Sequence, residues 1–339
     1  MDPRALRRFR SNRGAVVGAL LVVVLVLFAL LGPVLAGHDP YASDFAHGAT
    51  PLGTPTGPSS EHWLGNDRIF RDELVRLAFG ARISLVIAFA ATAIATLIGA
   101  TVGIVAGYYE GSRGVPVPLL TVVGVIASIV TVILGRPLAA AVILGLGVAL
   151  GYGLTFARSP LAAGPRLNAD TALMRLVDVG LSFPFLLLVM ALGAALGRTS
   201  MTTILFTLGL TGWLGTARVV RAKTLQVRSL EFVVASRALG QSTWRILLLH
   251  VLPNVSGPLI VIATSSVAQM IIAESVLGYL GVGISPPTPT WGHMLFEGQD
   301  VYLNAPWLIA APAAAILLAV FGFNLVGEGL RDALDTRVA

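Results

Sequence analysis

The chain has 339 residues, 55% of them hydrophobic and 12% charged, with a formal net charge of +6. A soluble domain carries roughly twice that charged fraction, so the composition argues against a soluble enzyme and for lipid as the solvent. Cysteine is absent and the five histidines are scattered, which excludes disulfides and thiolate chemistry and leaves no metal-ligand cluster such as HExxH.

A helix crossing a hydrocarbon core about 30 Å thick needs about 20 apolar residues. Eight stretches free of Asp, Glu, Lys and Arg reach or approach that length: Ala15–Ala36, Ile83–Tyr109, Val115–Gly135, Pro137–Ala157, Val179–Gly197, Thr199–Ala217, Val251–Ala273 and Ala305–Gly327. The first follows Arg4, Arg7, Arg8, Arg10 and Arg13, and Val34-Leu35-Ala36 has the look of a cleavage site. Its apolar run is longer than the core of a signal peptide, so an uncleaved anchor is expected. Ser275–Trp291 is also uncharged, but it carries glycines and prolines throughout and reads as an irregular segment.

With the N-terminus in the cytoplasm and the spans alternating, 17 of the 23 Lys and Arg residues fall on the cytoplasmic side and 6 on the other. Basic residues accumulate on the cytoplasmic side, so both termini are expected there. The charge excess then belongs to the membrane surface; membrane lipid is an expected partner and nucleic acid is not. The first outer loop is rich in Pro, Gly and acids, with a flexible tip from Thr50 to Ser60. Gly99, Gly103 and Gly107 fall on one helical face, a spacing that lets helix backbones approach closely in lipid, within one subunit or between two.

The stretch from Arg218 to Asn254 is too long for a tight connection and too polar to span. Leu230–Leu239 has a helical pattern, with Phe232, Ala235 and Leu239 on one face and Glu231, Ser236 and Arg237 elsewhere. Gly240 ends that helix, Ser242 or Thr243 caps the next, and Pro253 marks the start of the following span. By pattern alone this is a short helix lying across the cytoplasmic surface.

Here the chain resembles the permeases of ATP-binding-cassette importers. Their signature runs Glu-Ala-Ala, three residues, Gly, nine residues, Ile-x-Leu-Pro; this chain has Val234-Ala235-Ser236, then Gly240, then His250-Val251-Leu252-Pro253. Ala235, Gly240, Leu252 and Pro253 match in register, while Val234, Ser236 and His250 depart from it. The chain is similar to the dipeptide and oligopeptide C-type subunit in particular, through His62–Asp67, Arg71-Asp72, Gly80–Leu85, Met174–Val179 with Phe183-Pro184, Leu280–Gly283, Pro286–Gly292, Ala305–Trp307 and Leu330–Asp335. Thr336 stands where proline is usual. The family commonly has six spans; here the segments around Gly107–Gly111 and Asp170–Arg175 are separated by two further apolar runs joined by Gly135-Arg136-Pro137, which read as an inserted transmembrane hairpin.

The resemblance implies an all-α polytopic bundle of the type I importer fold in the bacterial inner membrane; with the inserted hairpin, the apolar runs make the expected span count eight. It divides the chain into a basic tail with the first span (1–36), an extracytoplasmic loop (37–82) and a permease core (83–339) that contains the hairpin at 115–165 and a cytoplasmic coupling loop at 218–250. It implies a second, B-type permease subunit, two cytoplasmic ATPases and an extracytoplasmic peptide-binding protein as partners, and no cofactor. Glu231, Val234, Ala235, Ser236, Arg237, Gly240, Leu252 and Pro253 would form the contact that couples the ATPases to the channel, with Arg237 able to pair with an acid. Glu274 is expected either in a structural hydrogen bond or on the translocation path, and Asp178 either in a local pair with Arg175 or on that path. His62 and Trp63 are expected as an interfacial anchor or as contacts for the binding protein.

No catalytic residues are expected. A P-loop requires GxxxxGK[ST], and the only lysine, Lys223, follows Ala222 with Ala217 five residues earlier. A secondary transporter would show two similar halves, and none is visible. An intramembrane enzyme would need a nucleophile–base pair or metal ligands, and no Gly-x-Ser-x-Gly or HExxH is present. Cargo is expected to be di- or oligopeptides, with nickel complexes, glutathione or antimicrobial peptides as alternatives.

Overall fold

A computed structural model describes residues 3–35, 37, 39–51, 53–111, 115–116, 137–156, 166–196 and 200–334. Within these, helices dominate: α1 (Pro3–Ser11), α2 (Arg13–Leu35), α3 (Glu73–Tyr108), α4 (Pro137–Phe156), α5 (Ala169–Leu181), α6 (Phe185–Leu196), α7 (Met201–Arg228), α8 (Glu231–Ala238), α9 (Thr243–Ile246), α10 (Leu252–Tyr279), α11 (Trp291–Gly298) and α12 (Trp307–Leu334). A two-residue antiparallel pairing joins β1 (Val115–Pro116) to β2 (Arg166–Leu167). Two compact units emerge, residues 1–104 with 179–339, and residues 105–178.

Among the described residues five helices are long and apolar enough to cross a membrane, Arg13–Gly32, Glu73–Tyr108, Met201–Arg228, Thr243–Tyr279 and Trp307–Leu334, and a bent pair makes a sixth if its two halves form one span. These carry six of the eight expected spans. Of the other two, Pro137–Ala157 corresponds to α4, which holds a shorter apolar stretch at Ala141–Leu150. Val115–Gly135 lies outside the described residues beyond its first two.

The bent pair shows that the stretch Val179–Gly197 is not one straight helix. Asp170–Leu181 and Phe185–Ala195 meet at 91°. Pro184 is the cause: it has no amide hydrogen and its ring drives Phe183 out of the helical region. The chain turns through Ser182, whose N–H reaches Val179 O, and α6 restarts with Leu188 N–H donating to Pro184 O at 3.0 Å.

In the larger unit the core is built from α3, α7, α10, α11 and α12, with Ile87, Leu208, Ile271, Leu277, Trp291 and Phe323 fully or nearly buried. α2 is apolar all round, and Leu20, Val24 and Leu30 are more than half exposed, the surface expected of a helix bathed in lipid. Its packed face carries small residues as well as Leu25: a Cβ on Gly18 would lie 2.5 Å from Leu325 Cβ on α12. α3 and α7 approach in the same way, since a Cβ on Gly103 would lie 2.6 Å from Ala217 O. The small-residue stripe at Gly99 and Gly103 therefore packs within this subunit.

These contacts fix the two ends of the unit. At one end Asn12 Nδ2 donates to Asp332 Oδ2 at 3.0 Å, so the two terminal segments lie together. At the other, Trp307 Nε1 donates to Asn66 O at 3.2 Å, which ties the loop after α2 to the start of α12.

Candidate functional site

The segment after α7 lies at the end that holds both termini. Residues from three helices close to it, Val219, Lys223, Pro253, Gly257, Arg331 and Leu334 among them, line one cavity of about 780 Å³. α8 occupies Glu231–Ala238, within one residue at each end of the expected Leu230–Leu239. Val233 and Ser236 turn inward, while Phe232, Val234, Ala235 and Leu239 are exposed, Leu239 by 82%. Glu231 and Arg237 are exposed as well. The helix thus shows apolar and charged side chains side by side on its exposed surface.

Gly240 comes next with φ +75°, the left-handed conformation that glycine adopts at little cost. Gln241 N–H donates to Ser236 O at 3.2 Å and Gly240 N–H to Arg237 O at 3.0 Å, a helix-ending pattern that needs this backbone. Nothing lies within 4 Å of where a Cβ would stand. Ser242 takes the N-cap position of α9 without a side-chain cap bond.

Pro253 lies inside a helix and not at its start: Thr243–Tyr279 is one continuous helical rod that begins ten residues earlier. A π-helical turn, Leu247–Val251, makes this possible. Leu252 N–H donates five residues back to Leu247 O, so the bonding register has shifted just before Pro253, where an amide is missing. Asn254 Nδ2 supplies a bond to His250 O at 2.7 Å. The rod also runs to Tyr279, so the first residues of the expected irregular segment are helical.

Leu252 and Pro253 thus sit on the rod, and α8 leans on the rod through His250. His250 Nε2 lies 3.3 Å from Ser236 Oγ, and its ring centroid lies 5.9 Å from that of Phe232.

A second cavity, of about 410 Å³, opens at the bend near Pro184, lined by Leu181, Phe183, Phe185, Thr211, Gln269 and Met270 among others. Neither candidate acid lines it. Glu274 is 1% exposed and accepts from Ser84 Oγ at 2.9 Å, which joins α10 to α3. Asp178 is exposed on α5.

At the opposite end of the larger unit the structure brings together a buried charge network whose members stand far apart in the sequence. Asp67 Oδ2 lies 2.6 Å from Arg71 Nε and 3.1 Å from Arg76 Nε. Arg71 Nη2 donates to Glu297 Oε1 at 2.9 Å, and Arg76 Nη2 donates to Glu297 Oε2. Arg76 is fully buried. Burial on its own would push the Glu297 carboxyl up; the His293 imidazole 3.6 Å away and the Arg76 and Arg71 guanidiniums overcome this and hold it at about 2. The loop at 37–82 is therefore clamped to α11. His62 belongs to the same loop, buried with Nδ1 2.8 Å from Asp72 Oδ2, so it is not a surface anchor; its neighbour Trp63 is 73% exposed.

The chain is similar to known transport proteins over nearly its whole length. A family model described as "Binding-protein-dependent transport system inner membrane component" matches residues 147–339, and one described as "N-terminal TM domain of oligopeptide transport permease C" matches residues 4–51. An oligopeptide transport system permease protein of Bacillus subtilis is 32% identical, over 98% of this chain and 89% of its own length. A dipeptide transport system permease protein of Alkalihalophilus pseudofirmus is 31% identical over the same shares. A glutathione transport system permease protein of Pectobacterium atrosepticum is 31% identical over 98% of this chain and 90% of its own.

Proposed function

The chain belongs to the family of binding-protein-dependent transport system inner membrane components, and we propose that it carries di- and oligopeptides across the inner membrane, with α8 as its contact to a partner ATPase. It is a membrane-embedded permease component of an ATP-binding-cassette importer, and relatives of this kind are transport subunits and not catalysts themselves. The finer assembly grows from that membership: a second, B-type permease subunit completes the channel, two cytoplasmic ATPases supply the power, and an extracytoplasmic binding protein delivers the peptide.

The observation that carries the coupling role is the exposed apolar surface of α8, set on the rod Thr243–Tyr279 and closed by Gly240. A partner that pushes on α8 pushes on the rod, because no flexible linker separates them beyond Leu239–Ser242. Closure of the ATPase pair on ATP then becomes a movement of packed helices, the usual form of a two-state shift. Both termini and α8 share one end, and the 17-to-6 distribution of basic residues supports that end as the cytoplasmic one. The inserted segment 115–165 is dispensable for the transport core. Glu274 holds α10 to α3 and stands off the peptide path.

Peptide cargo is supported by the transport functions that the relatives carry in their names; one of these is glutathione, itself a peptide. The test is uptake of a labelled dipeptide into proteoliposomes that hold the complete complex, with loaded binding protein outside and ATP inside. Uptake is expected only with both, and unlabelled di- and oligopeptides should compete. Competition confined to glutathione or a nickel chelate would move the cargo to those classes. Uptake that tracks an ion gradient without ATP would overturn the importer reading in favour of a secondary transporter.

A further inference from the structure

We infer that His250 is a positioning residue for coupling: its Nε2–H, held by Ser236 Oγ, locks α8 to the membrane rod. The inference rests on the coupling role proposed for α8.

The atoms leave little freedom. A serine hydroxyl has one proton. Ser236 Oγ lies 2.7 Å from Phe232 O, and a carbonyl only accepts, so that proton is used within α8. The contact at 3.3 Å to His250 Nε2 must then run the other way, with the imidazole donating to an Oγ lone pair. His250 therefore carries its hydrogen on Nε2. The Phe232 ring, one turn before Ser236, packs on the same imidazole at 5.9 Å, so His250 grips α8 at two points a turn apart.

The rod is shaped to present this side chain. His250 sits inside the π-helical turn Leu247–Val251, where an extra residue in the turn rotates the downstream part of the rod relative to an uninterrupted α-helix. Asn254 Nδ2 binds the His250 carbonyl at 2.7 Å and fixes its backbone. Val233 and Ser236 are the buried residues of α8, so this is the polar bond in its packed face.

Two departures from the importer signature are involved, Ser236 where the second alanine stands and His250 where isoleucine stands. They touch each other. One polar contact replaces one apolar contact, and the two substitutions are a single feature. Losing one partner leaves the other without its bond in a part-buried site, whereas replacing both by apolar residues is close to neutral.

The test is a double-mutant cycle on the complete complex in nanodiscs, read as the ratio of ATP hydrolysis with loaded binding protein to that without. Ser236→Ala and His250→Ile should each lower the ratio roughly fivefold, the scale of one hydrogen bond. The double variant should recover most of the loss. His250→Gln, whose amide offers an N–H in place of Nε2–H, should also keep the ratio. A double variant that loses the product of the single losses would overturn the inference, as would full stimulation in His250→Ile. If Gly240→Val abolishes stimulation while the cycle shows no interaction, the coupling role of α8 stands and His250 falls. If neither Gly240→Val nor any member of the cycle changes the ratio, the coupling role itself is wrong.

Discussion

Gly240 holds φ at +75° with open space around its missing side chain, so a substitution there acts through backbone strain and not through a clash. Left-handed backbone costs a non-glycine residue about 1–2 kcal/mol, most for β-branched side chains and least for asparagine. Gly240→Val is expected to abolish stimulation of ATP hydrolysis by loaded binding protein while the subunit still inserts, and Gly240→Asn to retain most of it. Loss in both would mean that the ATPase surface itself needs the bare backbone. Glu297 makes a different prediction. Its folded carboxyl titrates near 2 against an ordinary value of 4.5, so it stabilises the outer clamp fully above about pH 4.5 and loses that contribution as pH falls toward 2. The shift corresponds to at most about 3 kcal/mol. Thermal unfolding of Glu297→Gln should therefore lie well below that of the parent at pH 6, and the gap should close as the pH approaches 2. A gap that is independent of pH would deny the ion pairs their role. Neither partnership was legible in the sequence: Arg76 and Glu297 are distant along the chain, and only folding brings a buried guanidinium to that carboxylate.

At the scale of elements, periodicity located the helices and proline chemistry decided their shapes. α8 was readable to within a residue because its apolar positions and Gly240 mark both limits. The bend at Pro184 and the continuous rod through Pro253 were not, although each turns on a proline. The difference lies in what surrounds the ring. At Pro184 the chain lets go of the helix through Ser182 and Phe183; at Pro253 a π-helical turn absorbs the missing amide and the rod continues. A single sequence does not reveal which solution a proline will take. The inserted segment gives a test at this scale. Val115 pairs with Leu167 and Pro116 with Arg166, so the two ends of the insert are antiparallel neighbours. Residues 117–165 are replaceable by a two-residue Asn-Gly turn, the connection such a pair accepts most readily. That variant is expected to co-purify with its ATPases as the parent does. Failure to assemble, with the variant still inserted, would make the hairpin part of the working interface.

For the whole molecule, composition alone identified the solvent, since long uncharged runs are stable only where lipid replaces water. What it left open was how the ends are organised. In the larger unit the loop at 37–82 is clamped to α11 and to Trp307 at one end, while Asn12, Asp332 and the cavity around Lys223 and Arg331 mark the other. α8 projects from this second end with Leu239 as its most exposed apolar side chain. On the proposed coupling role, this is the end at which the complex is driven. The chain has no native cysteine, so Leu239→Cys provides a single thiol on that surface. The most direct measurement is cross-linking of Leu239→Cys by a short bismaleimide in the assembled complex, analysed by the mass of the product. A covalent adduct with the ATPase subunit is the expected result, together with protection of the thiol from an impermeant maleimide added outside intact cells stripped of their outer barrier. Labelling from outside, or an assembled complex in which no ATPase adduct forms, would contradict the account.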